Sequence, residues 1–396
     1  MIPQSRRIVL FLTILVILSG CTGGGAHPGF VPVPDATVRE LRIFDGHTGE
    51  ALTWDDLLNQ SEGAQVMVLG EQHDDRVGHA VQRVFVQDFI ARWGIPAKSA
   101  SVPPPPSSQP TSQPTSQPAP TLDDVPGSPA PTIFLSMEML DRSRQATVDD
   151  YLADLIDRDT FIERMATTKW RHIVKEYLSH EINHWVFEKR ILRIGWPDWE
   201  NNYQPTIDAA KEGGAGVIAA NTPWLRYTSL ANHEGYARLN ELTMAQHALF
   251  SKPKSLPEQS KYRERFWDVM VGRKEGEAAP EKEELNNPGK DSEKDEAVHP
   301  DLDDEMVLGA FRAQYLMDTT MARSIANVLE GGATAVIHLV GQFHSDFNGG
   351  TVQQIKNFLP EARILTISMW HEDEAALREE DKDRADIVIY TGAEEE

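Results

Sequence analysis

Two Gly-x-x-His sequences stand where apolar runs end: Gly70-Glu71-Gln72-His73 and Gly341-Gln342-Phe343-His344. The run Val66 to Gly70 leads into Glu71 and His73, and the run Ala335 to Gly341 leads into His344. Two further runs behave alike. Ile133 to Met137 stops at Glu138, and Val217 to Ala220 stops at Asn221. Imidazoles and carboxylates together suit borderline or hard divalent ions such as Zn, Mn or Fe. Two imidazoles and one or two carboxylates would leave a position open for water. Glu71 or Glu138 could then serve as the base of a hydrolysis. In the plainer alternative these residues cap the following helices, or pair with Arg76 and Arg142.

The elements that must deliver these groups are buried strands. Near-continuous apolar runs between helical stretches read as parallel strands covered on both faces. Ligands of such sheets bind outside the carboxyl ends of the strands. After the first run, apolar residues at Val77, Ala80, Val81, Val84, Phe85 and Ile90 predict a helix from about Arg76 to Arg92, capped by Asp74 or Asp75. His79 reads as a surface position of that helix and His338 as a strand residue. Residues 145–195 are helical in pattern, and a short helix near 204–212 stops at Gly213-Gly214. Asn221-Thr222-Pro223 has the form of a helix start. A helix from about 304 to 329 leads into the strand that ends at Gly341, and strands near 363–368 and 386–390 close the chain. Alternating strands and helices define an α/β class with a mostly parallel sheet flanked by helices and a helical addition.

Composition sets the outer limits. Acidic residues number 61 against 38 basic, a net charge of −23, which repels nucleic acid and anionic lipid surfaces. Arg6 and Arg7 followed by the short apolar run Ile8 to Leu18 have the form of an export signal, too short for a stable bilayer span. It ends at Leu18-Ser19-Gly20-Cys21, and Cys21 is the single cysteine. That placement predicts a lipoprotein signal peptide over 1–20, acylation at Cys21 and a membrane link through the lipid. Thr22, rather than an aspartate, favours the outer over the inner membrane of the envelope. A lone thiol excludes disulfides within the chain and cysteine-ligated metal. Residues 21–37 read as a flexible tether and 38–392 as one domain. Two polar insertions interrupt it, at about 99–131 (Pro/Ser/Gln/Thr) and 272–304 (Glu/Lys/Pro), and neither carries enough apolar surface to offset the entropy of ordering.

A second motif competes. His180-Glu181-Ile182-Asn183-His184 is a literal His-Glu-x-x-His, the helical pattern of zinc proteases. No third ligand supports it, and the pair reads more simply as polar positions on a Trp-rich helix. A serine hydrolase is without support, because no Gly-x-Ser-x-Gly is present.

Several stretches occur in a telling order: Leu69 to Asp74, Glu138 to Arg142 with Gln145, Trp170, Tyr203-Gln204-Pro205, Ala219 to Pro223, Asp318 to Ala322, and Gly341 to His344. Together they resemble the ChaN-like family of haem-binding lipoproteins, grouped with Tiki-type proteases and erythromycin-esterase-like enzymes. The resemblance spans about Val38 to Ser368, outside the insertions. It implies haem or iron binding at the bacterial envelope, in uptake or storage, and it puts Glu71, His73, Glu138 and His344 on the superfamily's shared site positions. His73, His344, Tyr203 and Asn221 then become the candidates for contact with haem, which needs an axial His, Tyr or Met and a broad apolar slot. The paired Gly-x-x-His motifs are equally the mark of the Tiki-type metal-dependent proteases. That alternative uses His73, His344, Glu138 and Glu71 around a divalent ion. A third possibility is an envelope scaffold with an idle site. A homodimer that sandwiches haem is also compatible with the resemblance.

Overall fold

The computed structural model describes residues 31–94, 132–165, 196, 198–223, 226–257, 260–270 and 305–392. Both expected insertions, the export signal, Cys21 and the His180-to-His184 motif lie outside the described residues.

The described strands are β1 (Arg42–Asp45), β2 (Ala51–Leu52), β3 (Val66–Glu71), β4 (Ile133–Asp141), β5 (Gly216–Asn221), β6 (Ala335–Gly341), β7 (Ile364–Trp370) and β8 (Ile387–Tyr390). They form an eight-stranded sheet in the order β2-β1-β8-β7-β3-β6-β4-β5. From β8 to β5 every pairing is parallel, and β1 and β2 add an antiparallel edge. The helices are α1 (Asp35–Arg39), α2 (Trp54–Ser61), α3 (Arg76–Trp93), α4 (Gln145–Leu152), α5 (Arg158–Met165), α6 (Trp199–Asn202), α7 (Gln204–Glu212), α8 (Tyr227–Leu239), α9 (Met244–His247), α10 (Lys261–Met270), α11 (Glu305–Glu330) and α12 (Gly350–Phe358).

The apolar runs form strands because both faces of the sheet are covered. Alternate residues face opposite layers. Met67, Leu69, Leu135, Met137, Ile337 and Leu339 pack with Val81, Val84 and Phe85 of α3 and Ile207 of α7. Val66, Val68, Val336 and Val340 pack with Met321, Ala322 and Ile325 of α11 and Val352 and Ile355 of α12. Each such side chain removed from water contributes about 1.5–3 kcal/mol. The α3 helix starts where expected, with Asp75 as its cap accepting from the Gly78 N–H at 2.8 Å.

Two local expectations fail. Asn221-Thr222-Pro223 does not open a helix; α8 begins at Tyr227 after Arg226. The Asn221 side chain is instead engaged with β4 and with the Thr222 N–H, as described below. His79 is not on a helix surface, being only 4 % exposed, because α3 is covered by α7 as well as by the sheet. The edge strands β1 and β2 are too short to show a run of their own. At the opposite edge, the Gln145 side chain donates to Val217 O at 2.9 Å and accepts from the Ala219 N–H at 2.7 Å. It therefore occupies edge groups of β5 that would otherwise be open to another strand.

Candidate functional site

The β3–β6 register pairs Gly70 with Val340 and Glu71 with Gly341, so the two Gly-x-x-His loops leave the sheet side by side. Their glycines are there for space. A Cβ on Gly70 would collide with the Ser345 hydroxyl and come within 3.0 Å of Gln342 Cα, and one on Gly341 would lie 2.8 Å from His73 Nε2. Each loop can lie across its neighbour only because the residue beneath has no side chain. β4 joins them through an irregularity: its register with β5 shifts between Met137 and Asp141, the stretch that carries Glu138. Asn221 Nδ2 donates to the Glu138 carbonyl at 3.1 Å and its Oδ1 accepts from the Thr222 N–H at 2.8 Å, which pins that stretch.

Glu71, His73, Glu138 and His344 thus meet at one end of the sheet, with Glu71 paired to His73 and Glu138 to His344, while His73 and Glu138 both approach Gly341. On the α3 side, the fully buried Glu71 accepts from His73 Nδ1 at 2.7 Å and from the Tyr203 hydroxyl at 3.1 Å. Gln82 Nε2 also donates to it, and His79 Nδ1 lies 3.5 Å away. Tyr203 is 1 % exposed, so its hydroxyl serves Glu71 from within the core. On the α11 side, Asp318 holds His344 Nδ1 at 2.6 Å and accepts from the hydroxyls of Tyr262 at 2.7 Å and Thr351 at 2.9 Å. His344 Nε2 is 3.5 Å from Glu138 Oε1, with the Gln314 amide 3.0 Å from it. Glu138 Oε2 accepts from the Gly341 N–H at 2.7 Å. Arg76 and Arg142 pair with neither carboxylate: Arg76 reaches Val31 O, and Arg142 bonds Ser324, Thr320 O and Ser251.

Charge follows this geometry. Burial alone would raise the Glu71 pKa, but the charge of His79 and the hydrogen bond from His73 hold it well below the usual carboxylate range. Burial would lower His79, and Glu71 overrides it to reach about 9. His344 also reaches about 9, with Glu138 and Asp318 outweighing burial. His73 is raised by Glu71 against the same burial. His338 shows the opposite case. It bonds Ser136 Oγ at 3.0 Å without a carboxylate partner, and burial pushes it down to about 3.

These shifts set a pH profile. His79 and His344 bind protons more tightly folded than unfolded, so their stabilisation is complete below 6.5 and is lost as pH rises towards about 9. Glu71 acts in the other sense: its contribution is present above 4.5 and is lost as pH falls through its depressed folded pKa. The melting temperature is expected to peak between these limits and to drop by several degrees from pH 6.5 to 9. A His79→Gln variant should flatten that alkaline drop. A wild-type melting temperature constant over pH 6.5–9 would contradict the charge assignment.

The reactive ring that stands apart is His73. Its side chain is 14 % exposed, its ring lies 4.8 Å from that of Trp196, and its Nε2 makes no hydrogen bond among the described residues. His344, at 7 %, is enclosed. Among the described residues no group of three or more His, Asp or Glu side chains could hold a metal ion. The four expected ligands meet as two ion pairs, Glu71 with His73 and Glu138 with His344.

The sequence reading missed Asp318 as a site residue, although the position belongs to the Asp318 to Ala322 stretch. A signal existed: Asp318 falls on the apolar stripe of Phe311, Tyr315, Ala322 and Ile325, where a carboxylate needs a partner. Gln82, Gln314 and Tyr262 carried no comparable signal.

The family described as "Haem-binding uptake, Tiki superfamily, ChaN" matches residues 165–355. Over that stretch the chain is similar to the ChaN family. The match includes Tyr203, Asn221, Asp318, Gly341 and His344, and it leaves Glu71, His73 and Glu138 to its amino-terminal side. Among solved structures, one titled "Cofacial heme binding to ChaN of Campylobacter jejuni" is 14% identical, with 88% of this chain and 96% of that chain covered at a TM-score of 0.49. Another, the type III effector HopBA1, is 10% identical, with 90% and 99% covered at a TM-score of 0.34. No curated protein matches the chain.

Proposed function

We propose that this protein binds haem at the carboxyl ends of β3, β4 and β6, with His73 as the imidazole that meets the cofactor. The family match supports the ligand class. One observation carries the choice of residue: His73 combines a Nδ1 held by buried Glu71 with an outward Nε2 and an aromatic neighbour in Trp196. As a donor His73 fits the group, since a metal-ligating imidazole is normally oriented by a carboxylate on its other nitrogen. Haem, when bound, would supply an iron that His73 would hold through its Nε2. The protein's own contribution is to fix the tautomer and the direction of His73, through Glu71, Tyr203 and Gln82, before any ligand arrives. Tyr203 supports the site through Glu71.

The same reading places the protein on the envelope, anchored by lipid on Cys21, where it would take up or hold haem or iron. The export-like residues 1–20 and the single cysteine support that placement.

Haemin titration of the full chain tests the proposal. A saturable Soret shift at fixed stoichiometry is expected, and the His73→Ala variant should lose it while the His338→Ala variant keeps it. Absorbance that grows linearly with added haemin, without saturation, would sink the reading.

A further inference from the structure

A third carboxylate–imidazole pair stands beside the site, built from Asp75 and His371. His371 directly follows the last residue of β7, Trp370. The final rung of the β3–β7 ladder pairs Gly70 with Ser368, so His73 and His371 each lie three residues beyond it (70 + 3 and 368 + 3). His371 holds the His73 loop at two points. Its backbone N–H donates to Gln72 Oε1 at 2.8 Å, and its Nε2 is 3.0 Å from Asp75 Oδ1. Asp75 is 1 % exposed, and its other oxygen, Oδ2, has no hydrogen-bond partner among the described residues.

Helix capping does not account for the imidazole, because Asp75 Oδ1 already accepts from the Gly78 N–H without it. What His371 adds is position. Gln72 and Asp75 flank His73 in the chain, and both are tied to one residue of the neighbouring strand. We propose that His371 is a positioning residue for His73: by gripping the loop on either side, it holds the His73 ring at the angle that a haem ligand must meet. The proposal rests on the haem reading above.

Two variants of the full chain test it, His371→Ala and His371→Gln, the glutamine amide reaching the place of the imidazole Nε2. In the ligand-free protein, the His73 ring resonance is followed by NMR of histidine-labelled chain. With haemin, affinity and the Soret position are measured. Expected is a displaced His73 resonance and an affinity loss of about tenfold or more for alanine, with glutamine restoring both. An alanine variant that melts lower but keeps the wild-type His73 resonance would make His371 a strut of the fold only and overturn the inference. If wild type itself fails to bind haemin, the haem reading falls, and the ligand-free resonance alone decides the positioning role. If wild type binds but alanine leaves resonance and spectrum unchanged, the haem reading stands and the inference is lost.

Discussion

Replacing Glu71 with alanine is expected to cost about 3–5 kcal/mol of folding stability, because it removes one side of a buried charge pair. The Glu71 carboxylate has no exposed surface and gathers His73, Tyr203 and Gln82, with His79 close by. Without it, His79 must either stay charged in a low-dielectric interior or give up its proton, and a tyrosine hydroxyl and an amide lose their acceptor. A domain's whole stability is about 5–15 kcal/mol, so the loss approaches that of unfolding. Urea titration followed by circular dichroism gives the measurement. The Glu71→Gln variant keeps the shape and removes the charge; it should recover part of the loss while abolishing the alkaline fall in melting temperature that His79 produces. If Glu71→Ala unfolds within about 1 kcal/mol of wild type, the network is not under the electrostatic load assigned to it.

Gly341→Ala should separate the site from the fold. The added methyl group would sit 2.8 Å from His73 Nε2 and 3.1 Å from its Cε1. The backbone at Gly341 is held by its pairing with Glu71 of β3 and by its N–H on Glu138 Oε2. The imidazole must therefore swing, giving up its alignment with Glu71 or its place against Trp196. Stability is expected to change by only about 1–3 kcal/mol, the usual cost of local overpacking. Haemin affinity should drop by about tenfold or more, as when a support of a ligating residue is lost. Equal haemin affinity in wild type and Gly341→Ala would show that the outward nitrogen of His73 is not where ligand is met.

The sheet was legible in the residues because its central strands are covered on both faces. Val66 to Leu69 is apolar without a break and Ala335 to Val340 is broken only by His338, a pattern few other environments require. The position of the site followed from where those runs stop, and Glu71, His73, Glu138 and His344 do converge. What the pattern could not show was how they pair. Glu71 meets its own neighbour His73 and the helix residue His79, whereas Glu138 meets the Gly341 N–H 203 residues away and, just beyond it, His344. His79 was misread for a related reason. A helix that touches only a sheet has a polar side, and α3 also packs against α7, so a histidine between apolar residues lies inside. Asn221 was read as a helix cap because Asn-Thr-Pro has that form. The bulged stretch of β4, which no periodicity announces, gives its amide a better partner in the Glu138 carbonyl. Asp318 sat in plain sight on an apolar stripe, but a buried carboxylate names its partner only once the helix is placed.

The strand order also governs when this chain can fold. β3 comes early in the sequence and lies between β6 and β7, whose residues follow it by some hundreds of positions, while β1 pairs with β8 near the opposite end. Among the described strands, only the short β1–β2 hairpin and the β4–β5 pair can form before β6 is made. Closing such long loops is entropically costly before any pairing rewards it, so folding is slow and its onset awaits the last strands. A chain emerging from the ribosome would thus keep its amino-terminal half open until nearly all of it has been made. A product truncated before β6 would carry β3 with both edges bare, a substrate for chaperones and proteases in place of a partial domain.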